Sequence, residues 1–146
     1  MRTLIRRIRW IFAKKRADAT AVPPSGTLTS FRWATNGSCA EQCRCFSVTV
    51  SDGARTLIYQ GTRGSRRFGM TADELNELCR ILREREVYRW DGFNECDPDI
   101  CDGSGFSMTC ATSTGVKISA HGSNAFPRGF GDASAALEAF FEPFAE

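Results

Sequence analysis

Two stretches of the chain repeat one pattern. "FSVTVSDGARTLIYQGTRGSRRFGMTADELNEL" begins at Phe46, and "FSMTCATSTGVKISAHGSNAFPRGFGDASAALEAF" begins at Phe106. Aligned, Phe46-Ser47 falls on Phe106-Ser107, Gly53 on Gly115, Gly61 on Gly122, Phe68-Gly69 on Phe130-Gly131 and Leu75 on Leu137. Each copy reads as strand, turn, strand, loop, helix. At 146 residues there is room for one domain built on this doubling and too little for a comfortable second.

Periodicity gives the elements their faces. Phe46, Val48 and Val50 alternate with Ser47, Thr49 and Ser51; Phe106, Met108 and Cys110 alternate with Ser107 and Thr109; Val116, Ile118 and Ala120 alternate with Lys117, Ser119 and His121. Period-two alternation predicts strands with one buried and one wetter face. Asp52-Gly53 is a hairpin turn, because glycine supplies the positive φ that a tight turn requires. "TADE" at Thr71 is a capping box opening a helix with the stripe Leu75, Leu78, Cys79, Leu82. A second helix is expected to start near Asp132, bury Leu137, Phe140 and Phe141 with Phe144 as a further candidate, and end at Pro143. The fold class that follows is α+β: two ββα units forming an antiparallel sheet with two helices packed on one face. "SFRWATNG", ahead of the first copy, reads as an added edge strand.

The net charge of +2 conceals an asymmetry. Residues 2–16 hold seven bases and no acid, which leaves twelve bases against seventeen acids in the rest, a net of −5. On a helix, Leu4, Ile5, Ile8, Ile11 and Phe12 share one face, while Arg6, Arg7 and Arg9 lie on the other. Such a segment suits an anionic membrane surface or an acidic protein partner, and nucleic acid less well. The plain alternative is an extension that packs on its own domain. The organisation expected is a basic amphipathic arm (1–16), a Pro-containing linker (17–26) and a single domain (27–146).

"YRWDGFNECDPDICDGSGF" followed by "VKISAHGSNAFPRGF" carries a resemblance. Trp90, Gly92 and Phe93, then Asp102-Gly103, then Gly122, Ser123, Asn124 and Pro127 are similar to a family of bacterial domains with a Trp-x-Gly-Phe segment, an Asp-Gly and a Gly-Ser-Asn-x-x-Pro loop. The likeness covers roughly residues 88 to 141. It implies a fold and a bacterial origin and brings no activity, and the cysteines lie outside its pattern.

Chemistry has few candidates. Cys39, Cys43 and Cys45 form C-x3-C-x-C and Cys96 and Cys101 form C-x4-C; zinc is the cofactor they could hold, although neither has the C-x2-C spacing of a structural knuckle. A disulfide joining the two groups is the oxidised alternative. The aspartates of "DGFNECDPDICDG" lack the order of a calcium loop and read as turn residues. Arg63, Arg66 and Arg67 before the first helix, and Arg128 before the second, could hold an anion at the helix amino termini, without a phosphate-loop motif beside them. His121 falls in the polar phase of its strand with no partner fixed by spacing, so no catalytic constellation is read and an enzyme is disfavoured.

The expected function is a small binding or interaction module with a basic arm; the alternative is a cysteine-based metal-binding or redox protein. Arginines break every apolar run near Met1 and no small-residue cleavage site follows, so the expected location is the cytoplasm, with the inner face of the membrane as a place of peripheral contact. The thiols are then reduced. Intact mass after denaturation with an alkylating reagent should show all seven cysteines modified. Two thiols that resist capping until reductant is added would mean a disulfide and reverse the location.

Overall fold

The computed structural model describes residues 25–37, 39, 42–99 and 103–145. Alternation dictates the layout. β1 (Leu28–Asn36) places Phe31 and Trp33 on one side and Ser30, Arg32 and Ala34 on the other. β2 (Arg44–Ser51) and β3 (Ala54–Gly61) follow as a hairpin whose turn residues, Asp52 and Gly53, both take positive φ, 49° and 79°. β4 (Gly64–Gly69) extends the meander. Then come α1 (Ala72–Glu84), a 3-10 turn at Val87–Trp90, β5 (Asn94–Cys96), β6 (Gly105–Thr112), β7 (Lys117–Ser123) and α2 (Phe130–Ala145).

The seven strands form one sheet in the order β4-β3-β2-β1-β6-β7-β5. All neighbours are antiparallel except β5, which runs parallel to β7. The architecture is thus mixed α+β, with more strands than two ββα units supply. The loop expected before the first helix pairs with β3 as β4, through Leu57 opposite Phe68. The corresponding stretch before α2 adds no strand.

"SFRWATNG" is not an edge strand. β1 is the centre of the sheet, pairing with β2 through Trp33 opposite Phe46 and with β6 through Trp33 opposite Met108. The reason is burial: Phe31 and Trp33 are covered by flanking strands and by helix together, which an edge position does not offer. α2 also differs from expectation, beginning at Phe130 and passing through Pro143 to Ala145. The ring removes one helical hydrogen bond near the end, and Phe144 gains an edge-on contact with Phe68 at 5.4 Å that holds the last turn down. The capping box of α1 is complete: Glu74 N–H donates to Thr71 Oγ1 at 3.1 Å, and Thr71 N–H donates to Glu74 Oε1 at 2.9 Å.

The core is aromatic. Trp33, Trp90, Phe106 and Phe130 form one group with ring centroids 4.7–6.3 Å apart. Phe31, Phe46 and Phe141 form another, at 6.3 and 4.4 Å. Both buried indoles find acceptors: Trp33 Nε1–H donates to Glu138 Oε1 at 3.3 Å and Trp90 Nε1–H to the Arg128 carbonyl at 3.2 Å.

The loop "GSNAFPRG" is a packing device. Gly122 is buried, and a Cβ there would meet the Ala125 carbonyl at 2.0 Å and the Phe106 ring at 2.6 Å. Asn124 takes the left-handed conformation, φ 56°, and its N–H donates to the Ser104 carbonyl at 2.8 Å. The loop turns back over β6 only because residue 122 has no side chain. Gly122→Ala should therefore cost about 1–3 kcal/mol by overpacking, read as a lower urea midpoint at unchanged slope. Ser123→Ala should move the midpoint far less.

Candidate functional site: the open face of the sheet

Every strand presents two faces, and their chemistry diverges. The face bearing Phe31, Trp33, Phe46, Leu57, Phe106 and Ile118 is buried. It meets α2 through Phe31 to Phe141 and Trp33 to Phe130, and α1 at a cavity lined by Phe31, Met108, Ile118, Cys79 and Leu82. On the opposite face, the residues of the alternate phase are exposed or half-buried, apart from Gly105. Small hydroxyl side chains dominate there: Ser30 on β1, Ser47 and Thr49 on β2, Ser107 and Thr109 on β6, Ser119 on β7.

Register fixes the neighbours. Arg32 on the central strand stands between Ser47 and Thr109, and its Nη1–H donates to Ser107 Oγ at 3.2 Å. Arg67 lies on β4 opposite Ile58, and Lys117 on β7 opposite Ala111. His121 lies exposed on the same face, between Asn94 and Ser107. No outward position of the seven strands is Asp or Glu. The carboxylates concentrate on the helices instead, at Asp73, Glu74, Glu77 and Glu84 of α1 and Asp132, Glu138 and Glu142 of α2. Arg44 belongs to that layer, paired with Glu142 at 3.0 Å and Glu138 at 3.7 Å. Its guanidinium pKa is raised, first by the hydrogen bond to Glu142.

The sites anticipated from sequence separate in space. Cys39 and Cys43 are exposed ahead of β2, the Cys43 thiol 3.9 Å from the Cys39 carbonyl. Cys45 lies on β2 and Cys96 on β5, four strands away across β1, β6 and β7. At ~4.8 Å per strand that is roughly 19 Å, too far for one ion or one disulfide. Cys101 lies outside the described residues, as does the arm with Leu4, Ile5, Arg6, Arg7, Ile8, Arg9, Ile11 and Phe12. Among the described residues no three His, Cys, Asp or Glu side chains come together as a metal site, and no helix is long and apolar enough to cross a membrane.

The arginine loops do not converge either. Arg63, Arg66 and Arg67 sit in the β3–β4 turn and on β4, at one edge of the sheet. The Arg128 carbonyl meets Trp90, which packs on Phe106 of β6. At the α1 amino terminus the capping box engages the Glu74 N–H, and Asp73 and Glu74 place two acids in the first turn. The acidic loop is used structurally: Asp97 Oδ1 accepts from Asp99 N–H and Asp91 Oδ1 from Ser119 N–H, both at 3.0 Å.

Asn94, His121 and Ser107 stand side by side on three strands, the residue types of an orienter, a base and a nucleophile. Asn94 and His121 are exposed and Ser107 is half-buried. Sequence reading assigned Ser107 and His121 a phase, left Asn94 in a turn segment, and missed the surface they build. The signal was present in the polar half of each alternation, and only the order of the strands assembles it. No family model and no curated protein matches the chain.

Two thiols share the cavity beneath α1. Burial pushes the Cys79 thiol up, and burial with the neighbouring Cys79 pushes Cys110 up to about 11. The unfolded chain releases the Cys110 proton near 8.5, while the native state retains it to about 11. Below the lower value the shift has no effect on stability. Between the two the native state binds more protons, so stability falls as pH rises. Melts at pH 8, 9 and 10 should show this decline, and Cys110→Ala should flatten it relative to wild type at each pH.

Proposed function

We propose that the protein is a binding module for anionic membrane surfaces, using the open face of its sheet together with the basic amphipathic segment of residues 1–16. The single observation that carries this reading is the charge segregation: Arg32, Arg67, Lys117 and His121 on a face whose strands present no carboxylate, above a helix layer rich in them.

The spread of the cations argues for a planar partner. From β4 to β7 is five strand steps, about 24 Å at ~4.8 Å per step. A linear polyanion calls for a stripe of closely spaced bases, and single-stranded bases call for exposed aromatic platforms. Here the aromatic residues of the strands belong to the buried phase. A sheet of headgroups meets such a face at many points, with Ser and Thr hydroxyls donating to phosphate oxygens between the cations. Each surface Lys or Arg contributes about 1 kcal/mol near an anionic bilayer. The arm would add seven basic groups and an apolar stripe, the two signals that stable peripheral attachment requires. Where the chain resembles the bacterial domains named above, the likeness is compatible with this and adds nothing to it.

Sedimentation with vesicles of phosphatidylglycerol in phosphatidylcholine at low salt tests the reading. The full chain should pellet with them and stay soluble with pure phosphatidylcholine. Removing residues 1–16 should weaken the binding strongly, and the triple change Arg32→Ser, Arg67→Ser, Lys117→Ser in the full chain should weaken it severalfold. Equal partitioning of the triple variant and wild type would remove the sheet face from the interface. Retention by a polyglutamate or oligonucleotide column in place of vesicles would replace the membrane by another anion.

A further inference from the structure

α1 closes on the sheet incompletely. A cavity of about 70 Å³ opens between them, walled by Leu28, Phe31, Met108, Ile118, Leu82 and Val87, with the Cys79 and Cys110 thiols in its lining. Its volume is about half that of an apolar cavity known to accept benzene, a fit for one or two aliphatic side chains. Gly26 forms part of the wall. That places the chain's own entry at the cavity.

The entry is fixed by hydrogen bonds. Thr27 N–H donates to Ser113 Oγ at 3.0 Å, Ser113 N–H donates to the Thr27 carbonyl at 2.8 Å, and Thr114 Oγ1 donates to the Ser25 carbonyl at 2.8 Å. Residues 25–27 are thus strapped to the β6–β7 turn, beside Thr112, which also lines the cavity. Thirteen peptide steps separate Phe12 from Ser25, a reach of up to about 45 Å, far more than the few residues between Ser25 and the rim require.

We infer that the apolar stripe of the amino-terminal segment, Leu4, Ile5, Ile8, Ile11 and Phe12, docks over this cavity when no membrane is present, with one or two of its aliphatic side chains inside. Three features on one molecule support the pairing. The cavity is walled largely by apolar side chains of the described residues, and the segment's sequence places an apolar face on a helix. The segment is basic and the rest of the chain, linker included, carries a net of −5, although Arg83 stands in the cavity lining. Tethering at the rim raises the local concentration to the millimolar range, so a weak contact suffices. The inference goes beyond the membrane reading and stands or falls without it, since docking needs no lipid.

The two thiols in the lining are built-in reporters. Alkylation by N-ethylmaleimide in the absence of vesicles, with modified sites mapped by peptide mass, should find Cys79 and Cys110 protected in the full chain. Removing residues 1–16 should accelerate both severalfold, while exposed Cys39 and Cys43 react at unchanged rates and serve as the internal control. Ile8→Asp in the full chain should reproduce the acceleration, and a peptide of residues 1–16 added to the truncated protein should reverse it. The truncated protein must keep the wild-type melting temperature to within a few degrees, and Ile8→Asp gives the same reading where it does not. Equal rates for Cys79 and Cys110 in all forms would overturn the inference, as would acceleration that spreads to every cysteine. Protection of the truncated protein by a fatty acid, without any effect of truncation alone, would also overturn it and give the cavity to an acyl chain.

Discussion

Trp33 is where the structure is tied together. It stands on the central strand, 0 % exposed, with Phe46 of β2 opposite on one side and Met108 of β6 on the other. Its ring touches Trp90, Phe106 and Phe130, which belong to the 3-10 turn, β6 and α2. Its N–H reaches Glu138, whose carboxylate also faces Arg44 of β2. Aromatic pairs of this kind are worth about 0.5–1.5 kcal/mol each beyond burial. One side chain therefore joins the amino-terminal meander to the carboxy-terminal half, and the sheet face on its side carries the core. The polar face of the sheet is a consequence of where the tryptophan points.

That one-sidedness explains the charge pattern without further assumptions. Acids on the helices complement Arg44 and Arg80, which pairs with Glu77 and Glu84. The sheet's outer face carries hydroxyls and cations. A domain with this division has a dipolar character that its modest net charge conceals, and it orients in the field of any charged surface before it touches it.

Much of this was legible from the residues alone. The alternations at Phe46–Val50 and Phe106–Cys110, the Asp52-Gly53 turn and the Thr71 capping box are local signals, decided by neighbours two to four positions apart. Strand order is decided by pairings across the chain, and those were not legible. "SFRWATNG" looks like any amphipathic strand until β6 is placed beside it. β4 was hidden because "GSRRFG" is too polar and glycine-rich to read as a strand, its pairing coming from β3 and from Phe68 facing the core. Closeness in sequence at 39–45 likewise says nothing of the three strands that intervene before Cys96. The open face was spelled in the polar residues of each strand, and reading it required the rows, which only registration supplies.

The central place of β1 has a consequence for how the chain is made. Ribosomes deliver β1, β2, β3 and β4 in order, and these can close as a meander as they emerge. The strand that must occupy the other side of β1 is β6, which ends at Thr112, and at roughly 5–20 residues per second it arrives several seconds later. Until then Phe31 and Trp33 lie beside an unpaired row of backbone amides, the combination that invites strand addition from another nascent chain. The halves of this molecule meet at its first strand, so its most vulnerable moment comes in mid-synthesis, and conditions that slow translation between Asn36 and Gly105 lengthen it.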